Sequence, residues 1–187
     1  MEPNPRNMLD ERDRMKTKHA HIMSDVINTK GYSKIAEVGV WKGLFLNDIL
    51  SECPGITEYW AIDSWNVSNV PGNKKLTPTQ EYWDNVYMMV CNALKYYPQL
   101  KIINYDATAA AKLFPKGYFD LVFIDADHGY ESVLNDLTTW TPLVRKGGMM
   151  SGHDHRKTHM GVKTAVAEFY GRTAKRLPAT CWVKEIK

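Results

Sequence analysis

The 187-residue chain has few cysteines, no long apolar run and little net charge. Its three cysteines, Cys53, Cys91 and Cys181, are odd in number and scattered, with no CxxC pair and no zinc-ligand spacing. That excludes a disulfide framework and reads as free thiols in a reducing cytoplasm. No apolar stretch approaches the roughly 18 residues of a membrane span. The opening residues, Met1-Glu2-Pro3-Asn4-Pro5-Arg6, lack the apolar segment of a secretory signal. Lysine plus arginine is 24 and aspartate plus glutamate 21, a net charge of +3 that is too mild to call for a nucleic-acid partner. Repeats and low-complexity segments are missing, and so is the GxGxxG spacing of dinucleotide dehydrogenases. What is present is ordinary globular composition, 44% hydrophobic and 24% charged, in a chain long enough for one domain with a sizeable core. The charge is uneven: residues 156–187 hold eight Lys/Arg against Glu168 and Glu185. That segment reads as a solvated face or as a patch that attracts an anionic substrate.

Hydrophobic spacing predicts a first helix with Met8, Arg12, Met15, His19, Ile22, Met23, Val26 and Ile27 near one face, capped at Gly31. Residues 1–31 are expected to form a helical arm and 32–187 the main domain. Strands then alternate with helices. Strands are expected at 34–38, 58–62, 100–104, 119–124 and 147–152, with two short ones near 174–177 and 181–186. Helices are expected at 44–50, 80–97, 108–113, 130–140 and 161–170. In the helix from 80, Trp83, Val86, Tyr87, Val90 and Leu94 share a face, and Met88-Met89 read as core packing. This alternation implies right-handed βαβ units, hence an α/β fold on a mostly parallel sheet with helices on both faces. Ligands in such sheets sit outside the carboxyl ends of the strands. The polar residues there are Glu37, Asp63, Asp106, Asp125 and His153-Asp154.

Five motifs fall at those ends. Glu37-Val38-Gly39-Val40-Trp41-Lys42-Gly43 joins a strand to a helix, and its glycines let backbone approach a ligand. The acid at its start suits a ligand with a positive amino group. Asp63 can accept two hydrogen bonds from a ribose diol or cap a helix. Asp106, followed by Ala107, can meet an adenine amino group or cap the next helix. The run from Phe119 through Asp125-Ala126-Asp127-His128 to Glu131 brings two carboxylates and a histidine to one loop. Arg145-Lys146-Gly147-Gly148 through His153-Asp154-His155 brings a second His/Asp cluster. If those strands are neighbours about 4.8 Å apart, Asp125 and Asp154 converge on one hard cation such as Mg²⁺ or Mn²⁺. The bland alternative is acids that cap helices and histidines that only fill loops.

Taken in order, "EVGVWKG", "FIDADHGYE" and "KGGxxxGHD" make the chain resemble a class I S-adenosylmethionine-dependent methyltransferase, of the small O-methyltransferase-like group. The resemblance runs from about Ile35 to Phe169. It implies a Rossmann-like sheet of seven strands with the last antiparallel, and S-adenosylmethionine as cofactor. By the same resemblance, Glu37, Gly39, Val40, Trp41 and Gly43 hold the methionine part. Asp63 and Ser64 take the ribose, and Asp106 and Ala107 flank the adenine. Asp125 matches the first metal-binding aspartate of catechol-type enzymes and borders the cofactor. Asp125, His153 and Asp154 form the implied metal set, with His153 a departure from the acidic pair expected there. His128 takes the place of a catalytic lysine and is the candidate general base, with His153 or His155 as fallback.

The expected activity is methyl transfer to a hydroxyl of a small molecule, a sugar or a phenol, aided by a divalent metal. An RNA or protein methyltransferase and a non-catalytic cofactor-binding module are the alternatives. The polar stretch 64–79, with Trp65, Asn66 and Lys74-Lys75, is open to a role as a substrate-closing loop or as a surface insert. The N-terminal helix is open to an acceptor-site role or a homodimer contact.

Overall fold

The computed structural model describes residues 18–67 and 79–187. The calls on Met8, Arg12, Met15 and Lys74-Lys75 lie outside the described residues, as does most of the 64–79 stretch. The chain begins with helix α1 (Lys18–Lys30), then strand β1 (Lys34–Val38), α2 (Leu44–Glu52), β2 (Glu58–Asp63), α3 (Gln80–Asn92) and β3 (Leu100–Asn104). It continues with α4 (Ala107–Ala111), β4 (Phe119–Ile124), α5 (Tyr130–Trp140), β5 (Val144–Gly152), α6 (Met160–Tyr170), β6 (Lys175–Arg176) and β7 (Trp182–Glu185).

The seven strands form one sheet in the order β3-β2-β1-β4-β5-β7-β6. The first five pair in parallel, and β7 runs antiparallel to β5 and β6. This is the expected Rossmann-like methyltransferase architecture. Strand order reverses between β1 and β4, because the chain leaves β1 toward β2 and β3 and returns to build β4 and β5 on the other side. That switch point is where the two outgoing loops part and leave a crevice.

Alternation along the strands sorts the core into two layers. Ile35, Tyr59, Ala61, Leu121 and Phe123 face the layer covered by α1, α2 and α3. Ala36, Val38, Ile62, Val122, Ile124 and Met150 face the layer covered by α4, α5 and α6. Every residue of β4 is buried, as expected for the central strand of a doubly covered parallel sheet. Helix α1 belongs to the first layer through Ala20, Met23 and Ile27. Helix α3 starts where the Thr79 side chain accepts from Tyr82 N. It buries Val86 and Val90. Two expectations fail in this region. Met88 and Met89 are 58% and 43% exposed, because a single helix face meets the sheet and they turn away from it. Leu94 lies beyond the end of α3, in a 3-10 turn that breaks the expected 80–97 helix, and is 43% exposed. No described helix is long and apolar enough to cross a membrane.

Candidate active site

Three backbone hydrogen bonds carry the parallel ladder past the strand ends and set the site residues side by side. Gly39 N donates to Ile62 O, Asp125 N to Val38 O and His153 N to Ile124 O. The loops after β1 and β4 then touch. A Cβ on Gly39 (φ +91°) would stand 2.4 Å from Asp125 O, so only glycine fits. Against this seam lies a cavity of about 1170 Å³. Pockets for one small molecule are roughly 300–1,000 Å³, so there is room for a cofactor with an acceptor beside it.

Of the residues read from the sequence, Glu37, Gly39, Val40, Trp41, Asp63, Ser64, Asp106, Ala107, Asp125, His128, His153 and Asp154 all line this cavity. Gly43 does not. It sits behind the loop, where Gly43 N bonds Val40 O and its positive φ of 72° starts α2. His155 is absent from the lining as well, which removes it as a fallback base. Its backbone N–H is tied to Thr180 O, and burial lowers its pKa.

Glu37 is 1% exposed, and among the described residues its side chain accepts a hydrogen bond from Tyr59 OH alone, 2.6 Å from Oε2. Burial pushes its carboxyl well above the usual range despite that bond, with Asp125 and Asp63 adding to the effect. Asp63 also serves the loop that it lies beside. Its Oδ2 accepts from Val40 N and Trp41 N, both at 2.9 Å, and its Oδ1 from Trp65 N at 2.9 Å. The carboxylate therefore shapes the loop itself and holds Trp41 and Trp65 at positive φ. Trp65 is buried with its indole N–H on Trp41 O, so it anchors the loop, whereas Asn66 lines the cavity. Asp106 caps α4, with Oδ1 accepting from Ala109 N.

The other end of the cavity is a histidine–aspartate cluster centred on buried Asp154, itself at a strained φ of +54°. Asp154 Oδ2 accepts from His128 Nε2 at 2.9 Å. Its Oδ1 faces Arg156 Nη2 at 2.9 Å without the alignment of a hydrogen bond. His153 Nδ1 stands 3.5 Å from Asp125 Oδ1 and 3.6 Å from Asp154 Oδ1, while Thr180 Oγ1 meets its Nε2 at 3.0 Å. The Asp154 hydrogen bond raises the His128 pKa against desolvation. Burial lowers that of His153, and the two aspartates more than offset it. Burial would raise Asp154, but His128 and the neighbouring imidazoles hold it down to about 2. Gly161 keeps the cluster compact, since a Cβ there would stand 2.2 Å from His128 O.

Lining residues that escaped the sequence reading as site residues include His19, Asp136, Arg156 and Trp83. His19 stacks on His153 with ring centroids 4.3 Å apart and on Phe45 at 5.3 Å. Its place on the apolar face of α1 was visible in the spacing, but its ring partner lies across the sequence.

A family described as a methyltransferase domain (Methyltransf_24) matches residues 36–155, more than half of the chain. The chain belongs to this family. No curated protein matches it. Among solved structures it is similar to the SAH-bound methyltransferase PaMTH1 of Podospora anserina, at 16% identity and a TM-score of 0.66, covering 98% of this chain and 84% of that one. It is also similar to the O-methyltransferase NovP, at 19% identity and a TM-score of 0.62, covering 95% and 78%. Likeness at such identity establishes the fold. The methyltransferase assignment rests on the family match, which spans Glu37 through Asp154 and so covers the glycine turn and both aspartate loops.

Proposed function

We propose that this methyltransferase moves the methyl group of S-adenosylmethionine to a hydroxyl of a small molecule, a sugar or a phenol, with a divalent cation held by Asp125, His153 and Asp154. The observation that carries the reading is a single cavity in which a buried acid beside a close-approach glycine turn meets a histidine–aspartate cluster. The residues fit the cofactor. Glu37 is a buried carboxyl with Tyr59 as its single partner among the described residues, and a ligand ammonium would supply the missing positive charge. Gly39 leaves no side chain between the loop and the ligand. Asp63 keeps acceptor capacity on Oδ1 for a ribose hydroxyl beyond the loop amide it already binds. Asp106 and Ala107 flank the position for the adenine.

The residues also fit a cation. Asp125, His153 and Asp154 each offer a ligand atom within 4.8 Å of the others. Two carboxylates and an imidazole suit Mn²⁺ better than Mg²⁺, which prefers oxygen alone. Bound there, the cation supplies a Lewis acid that lowers the pKa of a hydroxyl. S-adenosylmethionine supplies an electrophilic methyl on a sulfonium, so the protein's work is largely alignment. His128 directs Nε2 at Asp154, which orients the ring and leaves Nδ1 to accept the acceptor's proton. With its side chain 38% exposed on the cavity wall, His128 can reach an incoming hydroxyl. The free thiols Cys53, Cys91 and Cys181 suit a reducing cytoplasm as the place of the reaction.

Transfer of labelled methyl from S-adenosylmethionine to a panel of sugars and phenols, with Mn²⁺, with Mg²⁺ and with EDTA, tests the reading. Turnover that needs metal and is lost in Asp125→Ala supports it. Full turnover in EDTA removes the cation, and binding of the cofactor without turnover on any acceptor removes the enzymatic reading.

A further inference from the structure

Helix α5 buries Val133, Leu137 and Trp140, the spacing of one apolar stripe. Asp136 falls inside that stripe and is 6% exposed. It lines the cavity at the end where Asp106 and Asn135 also stand. Its neighbours there are already engaged. Asp106 Oδ1 accepts from Ala109 N, Asp127 Oδ1 accepts from Gly129 N, and Asn135 Nδ2 donates to Thr108 Oγ1 at 2.7 Å. Asp136 has no hydrogen bond or ion pair among the described residues. The charged groups that face it, Asp106 and Asp127, carry its own sign.

A buried carboxylate with no donor is costly, and the cheaper state is the neutral acid. Burial, followed by the two like charges, raises the Asp136 pKa to about 7. A neutral carboxyl sets an O–H donor beside a carbonyl acceptor. Adenine presents the complement, an amino N–H next to a ring nitrogen.

We propose that Asp136 is a cofactor-binding residue that pairs as a neutral acid with the amino edge of the adenine, donating to a ring nitrogen and accepting from the amine. The proposal rests on the S-adenosylmethionine reading above. It gives a ligand to the one acid of the α5 stripe, and it makes cofactor affinity depend on a proton that the protein itself carries.

Calorimetric titration with S-adenosylhomocysteine from pH 6 to pH 8.5 tests it, for the wild type, Asp136→Asn and Asp136→Leu. An amide offers a donor and an acceptor at every pH. The wild type is expected to weaken about tenfold over that range and to take up protons on binding, seen as a buffer-dependent enthalpy. Asp136→Asn is expected to keep the pH 6 affinity with a flatter profile and less proton uptake. Asp136→Leu is expected to bind about tenfold more weakly at pH 6. Equal slopes and equal proton uptake in the wild type and Asp136→Asn overturn the proposal, and so does undiminished binding by Asp136→Leu. If the wild type binds at no pH, this proposal falls together with the cofactor reading. If it binds and neither variant differs from it, this proposal falls alone.

Discussion

Two acids at the amino ends of the strands and two beside the cavity at the other end are treated in opposite ways. At the amino ends of the strands, Asp120 accepts from Ser33 N and Lys34 N at 2.8 Å, from Ser33 Oγ at 3.2 Å and from Arg145 Nε. Burial would raise its pKa, but those donors outweigh it and the pKa is lowered. Glu58, at the same end, accepts from Tyr118 OH, Lys101 Nζ and Trp60 Nε1, and its pKa falls to about 2. At the other end, Glu37 accepts from Tyr59 and Asp136 has no partner among the described residues, and both pKa values are raised by burial. Where donors come from the protein itself, a buried acid ties strands together. Where they do not, the acid stays costly in the free protein, and a ligand can supply what is missing. Asp63 and Asp154, also at the ligand end, are satisfied by loop amides and by His128, so Glu37 and Asp136 are the two acids left for a ligand.

Substitutions at the two ends should therefore have opposite signatures. Asp120→Ala strands two backbone N–H groups and a guanidinium, so urea unfolding should show a loss of about 3 kcal/mol with little change in S-adenosylhomocysteine affinity. Because the Asp120 pKa is lowered on folding, its contribution is present above its unfolded value of 3.8 and disappears as pH falls through the folded one. The stability gap between wild type and variant should close in acid. Glu37→Gln should do the reverse. Binding should weaken by about 2 kcal/mol, roughly 30-fold, through loss of a charge-assisted contact, with no fall in melting temperature.

Asp136→Asn should stabilise the free protein in a pH-dependent way. The folded pKa of Asp136, about 7, lies above its ordinary 3.8, so the folded state holds the extra proton and wild-type stability declines as pH rises between those values. The full shift corresponds to about 4 kcal/mol, so the variant should gain up to that at pH 8 and almost nothing at pH 4. Smallest of all, replacing Mg²⁺ by Mn²⁺ should raise methyl transfer a fewfold if His153 is a ligand, and His153→Asp should reverse that preference.

Much of this frame was legible in the sequence. Strands β1, β3 and β4 and helix α5 fall on their expected bounds, because apolar alternation and the flanking Gly and Asp mark them. The glycine turn and the two aspartate loops were placed at the strand ends, and the parallel ladder brings them together. The use of Asp63 was not legible. Whether a carboxylate meets a ligand or its own loop depends on where amides of Val40, Trp41 and Trp65 point, which spacing does not encode. His19 and His153 meet only because α1 packs across the sheet. Asp136 left a trace, an acid within the Val133-Leu137-Trp140 stripe, which reads as an outlier only once the helix is known to be covered on that side.

The central claim is that Glu37 and Asp136, the buried acids short of protein donors, await a charged, nucleoside-bearing ligand. Its most direct test is paired calorimetric titration of wild type and Glu37→Gln with S-adenosylhomocysteine. Micromolar binding by the wild type, weakened by the substitution in a protein that melts no lower, is the predicted result. No binding by a folded wild-type protein, or equal binding by both, would contradict it.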